Sequence, residues 1–119
     1  MSGINDPDLV MHDRIVTWLE ALEANYVDMY ARQGQTPTAR LTFECDAPRK
    51  GQRYVRIIMC RDGRRDSVHA FYDQRNGDVY KAAGWKKPAA IVRFNLLDDD
   101  SFATMIERAD WTGGYLYLR

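Results

Sequence analysis

Between Lys81 and Asn95 the chain carries four cations, one tryptophan and one asparagine, and no acidic residue. Lysine and arginine bring charge and donors to a phosphate, an indole offers a stacking face, and an Asn amide reads a base edge or a ribose hydroxyl. Lys81, Trp85, Lys86, Arg93 and Asn95 are therefore candidate residues of a pocket for an anion carrying a flat ring, of which a nucleotide is the obvious instance. The competing reading is a connector with a core tryptophan and solvated lysines, and composition alone favours it.

Three more candidates come from the strands that precede this stretch. Leu41, Phe43 and Cys45 alternate with polar residues in the rhythm of a half-buried strand. The run Tyr54 to Arg61, the turn signal Asp62-Gly63, the run Arg64 to Asp73, the turn signal Asn76-Gly77 and the run Asp78 to Ala83 predict an antiparallel meander. With two-residue turns, one face takes Val55, Ile57, Met59, Val68, Ala70, Tyr72, Val79 and Ala83. The other takes Tyr54, Arg56, Ile58, Cys60, His69, Phe71 and Tyr80, with Arg56 across from His69. Arg56, His69 and Phe71 on that outer face are candidate ligand contacts. The alternative is that later residues cover the face and Arg56 pairs with Asp73 or Glu44.

The flanks complete the expected architecture. Asp6-Pro7 reads as a helix start, with the helix running to about Gln33 and ending at Gly34. Ile15, Leu19, Leu22, Tyr26 and Met29 form its apolar stripe. Val16, Trp18, Val27 and Tyr30 widen that stripe and suggest a second subunit against it. Asp98-Asp99-Asp100 with Ser101 starts a short helix, and Trp111 to Gly114 turns the chain. Tyr115 to Leu118 is expected as a last strand with leucines inward. The expected fold is one α+β domain over residues 1–119, with a long N-terminal helix packed on a small, mostly antiparallel four- or five-stranded sheet and a short helix near the C-terminus.

The wording Gly77-Asp78-Val79-Tyr80-Lys81-Ala82-Ala83-Gly84-Trp85, followed by Lys87-Pro88-Ala89 and Arg93-Phe94-Asn95, resembles the first type of Thoeris anti-defence proteins of bacteriophages. The resemblance covers Ser67 to Arg119 and the general layout. It departs from the family pattern at Gly84, where Ser often stands, and at Phe94, where Gly often precedes the Asn. It implies a phage-encoded, non-enzymatic sponge acting in the host cytoplasm. Such proteins bind cyclic ADP-ribose isomers made by TIR-domain enzymes, and some also bind cyclic oligonucleotides of the related cyclic-nucleotide defence.

Composition narrows the partners. Seventeen basic and seventeen acidic residues in 119 cancel, which argues against duplex DNA or an anionic membrane as a general partner. No run approaches a membrane span, and Met1 to Asp8 lacks the features of a secretory signal, so a cytoplasmic protein is expected. Cys45, Cys60, His12 and His69 are isolated, which leaves no metal site or cofactor motif to expect. The hydrolase, metalloprotease and phosphate-loop motifs are missing, so no catalytic residue is assigned. The expected partner is a small cyclic nucleotide bound by a homo-oligomer assembled through the first helix. The alternative is a single-stranded nucleic-acid binder with an Arg and aromatic sheet face, and a small phosphoesterase forms a third class.

Overall fold

A computed structural model describes residues 6–117. The first helix, α1 (Pro7–Arg32), begins as its sequence requires, with the Asp6 carboxylate accepting from the Asp8 N–H at 2.9 Å and Pro7 in the first turn, where its missing N–H costs nothing. Gly34, at φ 68, follows its end. Met11, Ile15, Trp18, Leu22 and Tyr26 recur every three or four residues and are the buried face of the helix. Trp18 is 0% exposed and Tyr30 packs against the core, so two of the four residues expected outside the stripe are core residues.

Five antiparallel strands form one sheet in chain order: β1 (Leu41–Cys45), β2 (Tyr54–Arg61), β3 (Arg64–Asp73), β4 (Asp78–Ala82) and β5 (Pro88–Asn95). Asp62-Gly63 is a two-residue turn with both residues at positive φ, 52 and 81, the geometry that matches the twist of a hairpin. The second turn is longer than two residues. It spans Gln74 to Gly77, closed by the Gly77 N–H donating to the Asp73 carbonyl at 2.8 Å. Gly77 is required twice over: its φ is 83, and a Cβ there would stand 3.1 Å from Leu97 Cγ.

The register departs from the expected one at β3. Two residues of β3 have no opposite number in β2: Cys60 pairs with Arg65 but Met59 with Ser67, so Asp66 is extra, and Ile58 pairs with Val68 but Ile57 with Ala70, so His69 is extra. Together they turn Val68 to the outer face and place His69 on the same side as Ala70, toward α1, where its ring meets Trp18 and Phe43 edge-on at 6.5 and 5.1 Å. Arg56 accordingly lies across from Phe71, not His69, and Ala83 falls beyond β4. Patterning by twos sorts the rest: Val55, Ile57, Met59, Ala70, Tyr72 and Val79 belong to the main core with α1.

The second helix, α2 (Asp99–Arg108), starts at Asp98, whose carboxylate accepts from the Ser101 N–H, and contributes Phe102, Met105 and Ile106 to the core. The segment expected as a last strand is a 3-10 turn, Gly114–Leu116, with Leu118 outside the described residues. The reason is local. The Asp110 carboxylate accepts from the backbone N–H groups of Thr112, Gly114 and Tyr115, which winds the chain into a turn. Two alternating apolar residues suit either form. The fifth strand is instead Pro88–Asn95, part of the basic stretch from Lys81 to Asn95. Cys45 and Cys60 are free thiols on opposite faces, as the alternation in β1 and β2 requires.

Candidate functional site

The structure sorts the eight sequence-derived candidates into three places. On the outer face, Arg56 is bound to Asp46 through Nε and Nη2 at 2.9 and 2.8 Å, and its Nη1 donates to the Trp85 carbonyl at 3.2 Å. Arg65 joins the same carboxylate and adds Glu44, at 3.0 and 2.9 Å. Burial alone would raise the Asp46 carboxyl, but the hydrogen bonds from Arg56 and Arg65 outweigh it and hold the group below its ordinary value. Arg56 therefore pins the loop between β4 and β5. Phe71 beside it is 3% exposed, while Trp85, at 45%, and Lys86 stand in solvent in the loop.

Asn95 is at the far end of β5. Its Nδ2 donates to the Asn76 carbonyl and to Asp78 at 3.0 and 2.8 Å, and its Oδ1 accepts from the Leu97 and Asp98 N–H groups at 2.8 and 2.9 Å. All of its hydrogen-bonding capacity serves to tie β5 to the 74–77 turn and to the start of α2. Seven residue steps of strand, roughly 20 Å, separate it from the loop that carries Trp85. Trp85 and Asn95 are not brought together.

The remaining three, His69, Lys81 and Arg93, lie on the α1 side of the sheet around the turn formed by residues 110–117. Arg93 is the extra residue of a bulge in β5: Val79 pairs with Phe94 and Tyr80 with Val92. Its Nε donates to the Leu116 carbonyl and its Nη1 to the Ile91 carbonyl. It opens onto a groove of about 1070 Å³ among the C-terminal half of α1, the end of α2 and the turn, whose charged lining is Arg32, Arg93 and Arg108 against Asp28 and Asp110. Tyr115 and Tyr117 supply its aromatic surface.

On the other side of the same turn is a cavity of about 410 Å³. Its polar lining is Ser67, His69, Lys81 and Thr112, with Trp111, Tyr117 and Met59 as apolar wall and no carboxylate. Lys81 Nζ sits 4.6 Å over the Tyr117 ring, a cation on a π face, and makes a 3.3 Å contact with the Ala82 carbonyl. The two hollows share Thr112 and Tyr117 and so adjoin.

Beneath them runs a buried polar chain. Trp18 Nε1 donates to Tyr115 Oη at 2.8 Å, and Tyr115 Oη is 2.8 Å from His69 Nε2. Burial drives the His69 imidazole down from 6.5 to about 4, against a weaker opposing pull from Asp110, so it is neutral at ordinary pH. Burial also pushes the Tyr115 hydroxyl far up, so it remains protonated.

Sequence reasoning missed Arg32, Arg108, Tyr115 and Tyr117. Cations in the last turns of helices are ordinary, so nothing marked Arg32 and Arg108 as convergent. The alternation of Tyr115 and Tyr117 with leucines points to an outward strand face instead. The Gly113-Gly114 pair is a local signal that backbone there can approach something closely.

Among the described residues no three His, Cys, Asp or Glu side chains gather to hold a metal ion, and no helix is long and apolar enough to cross a membrane. No curated protein and no solved structure matches the chain. One family model does, over residues 5–118, and the chain belongs to that family, a family of unknown function, DUF7717.

Proposed function

We propose that the protein is a non-catalytic binder of a small cyclic nucleotide, such as a cyclic ADP-ribose isomer or a cyclic di- or trinucleotide. As the resemblance to the phage anti-defence family implies, it acts as a sponge that keeps an immune signal from its effector in the host cytoplasm. The observation that carries this reading is the pair of adjoining hollows around the 110–117 turn, which set Arg32, Arg93 and Arg108 on one side and Lys81 and His69 on the other, with Tyr117 between them. Their sizes, about 1070 and 410 Å³, suit a ligand larger than a single mononucleotide. Arg93 Nη2 has no partner among the described residues, and the Arg32–Asp28 pair is an exposed one that yields readily to a better acceptor. In this reading Lys81, Arg93 and His69 contact the ligand, Arg56 and Asn95 support the fold, and Trp85 and Lys86 form a separate exposed surface.

Binding without turnover fits the one histidine in the site, which is neutral and hydrogen-bonded to a tyrosine rather than to a carboxylate. The competing reading, a single-stranded nucleic-acid binder, has less support, because Phe71 and Tyr80 are 3% and 7% exposed and offer no stacking platform. Assembly through α1 remains part of the proposal. Leu9, Val16 and Val27 are 56%, 42% and 58% exposed and, seven and eleven residues apart, lie along one stripe of the helix. Light scattering giving a monomer at micromolar concentration would remove that part.

Isothermal titration with cyclic ADP-ribose isomers and cyclic dinucleotides tests the binding itself. A sponge must hold its ligand at nanomolar concentration, which is about 12 kcal/mol of binding free energy. Micromolar or weaker binding to every member of the panel, with steeply salt-dependent binding to labelled oligonucleotides, would favour the competing reading.

A further inference from the structure

The carboxylate-free cavity beside the 110–117 turn has a donor built into it. Trp18 Nε1 is a donor only, so Tyr115 Oη accepts from it, and the single hydroxyl hydrogen of Tyr115 must go elsewhere. Among the described residues the acceptor within hydrogen-bond distance is His69 Nε2, at 2.8 Å. A neutral imidazole that accepts at Nε2 carries its hydrogen on Nδ1. The opposite tautomer would leave the tyrosine hydrogen buried without an acceptor, at a cost that a satisfied chain avoids. Among the described residues Nδ1 has no hydrogen-bond partner, and none of their buried side-chain nitrogens or oxygens lacks one, so Nδ1 is the part of this 9%-exposed residue that meets the cavity. Gly113, at φ 85, lies along the ring there: a Cβ would stand 3.8 Å from Nδ1.

Around this donor the cavity adds the Lys81 ammonium and the Ser67 hydroxyl, both half-buried, and no acid is in its lining, the nearby Asp110 carboxylate being taken up by the N–H groups of its own turn. Thr112 is already engaged with Asp110. We propose that His69 Nδ1–H, Lys81 and Ser67 form an anchoring site for one phosphate group, with the Tyr115–Trp18 chain fixing the imidazole as a donor. The inference rests on the reading of this side of the sheet as a nucleotide-binding surface and adds to it which group of the ligand enters this cavity. A neutral N–H donor and an ammonium suit a phosphodiester, which carries a single negative charge and needs no proton transfer. The larger arginine groove then takes the rest of the molecule.

The test uses inorganic phosphate, so that it does not depend on the identity of the nucleotide. Nitrogen-15 spectra of the histidine side chains at pH 7 should show His69 with its proton on Nδ1. Phosphate titrated in at constant ionic strength, with chloride as the balancing anion, should shift the His69 ring nitrogens and the Gly113 amide. Lys81→Met should weaken that response about tenfold, and Ser67→Ala less. Finding the proton on Nε2 would overturn the proposal, as would a phosphate response confined to the arginine groove or no response at His69. Because the tautomer is read on the unmodified protein, failure of a variant to fold leaves the test intact. If no cyclic nucleotide binds but phosphate moves His69, the anchoring site stands and the ligand class is what fails.

Discussion

Lowering the pH should destabilise this protein well before its carboxylates titrate, and His69 is the reason. Its folded value of about 4 lies below the ordinary 6.5, so the neutral form is favoured in the fold. Below pH 6.5 the unfolded chain binds a proton that the folded chain refuses. The stabilisation is therefore full above 6.5 and is lost progressively as pH falls toward 4. At about 1.4 kcal/mol for each pH unit, the fall from 7.5 to 4.5 removes roughly 2.5 kcal/mol. The groups that face the ring are Tyr115, Trp18 and Phe43, with Asp110 opposing the shift and Lys81 lining the same cavity. Asp46 and Asp73 have depressed values, so their contributions disappear only below about pH 4 and stay out of this window. Urea unfolding followed by circular dichroism at half-unit pH steps should show the midpoint falling by about 1–2 M between pH 7.5 and 4.5, for an ordinary slope. His69→Gln should flatten the dependence. A flat profile for the wild type, or a His69 resonance titrating near 6.5, would refute the reasoning.

Other expectations follow from single contacts. Asn95→Ala removes the hydrogen bonds joining β5, the 74–77 turn and α2, and should cost about 2–4 kcal/mol by denaturant unfolding; a loss under 1 kcal/mol would mean that water replaces them. Gly77→Ala should cost more than Gly63→Ala, because both sit at positive φ but only Gly77 has a neighbour within 4 Å, and equal losses of about 1 kcal/mol would show that backbone strain alone matters. Arg56→Lys keeps the charge but loses the fork that holds Asp46 and the Trp85 carbonyl, so thermal unfolding should reveal a loss of about 1–2 kcal/mol with ligand affinity unchanged; weakened binding in a stable protein would return Arg56 to the site.

Much of the fold is legible in the residues. The Asp6-Pro7 start, the Asp62-Gly63 turn and the Asp98 cap each have one cheap backbone solution, and the periodicity of α1 leaves little choice of face. What could not be read is where a strand gains a residue. Nothing in Asp66-Ser67-Val68-His69-Ala70 announces two extra residues, because the pattern of twos runs from Val68 to Tyr72 unbroken. The holding contacts are tertiary: His69 is kept among Trp18, Phe43 and Tyr115. The two extra residues put His69 on the helix side and not on the expected outer face, and the extra residue at Arg93 is equally silent in the sequence. The basic stretch from Lys81 to Asn95 was legible as chemistry but not as geometry. A strand spreads its ends apart, which leaves Trp85 in a loop and gives Asn95 a structural task. Arg32 and Arg108 enter the site only because the ends of two helices meet there.

The central claim is that the hollows around residues 110–117 hold one intact cyclic nucleotide. The most direct measurement is mass spectrometry of what the protein releases on denaturation after purification from cells making such signals, for wild type and for a folded Lys81→Met, Arg93→Lys double variant. The expected result is a single intact cyclic nucleotide, at no more than one equivalent per site, from the wild type and a strongly reduced amount from the variant. A cleaved nucleotide formed with multiple turnovers, or equal retention by the variant, would contradict the account.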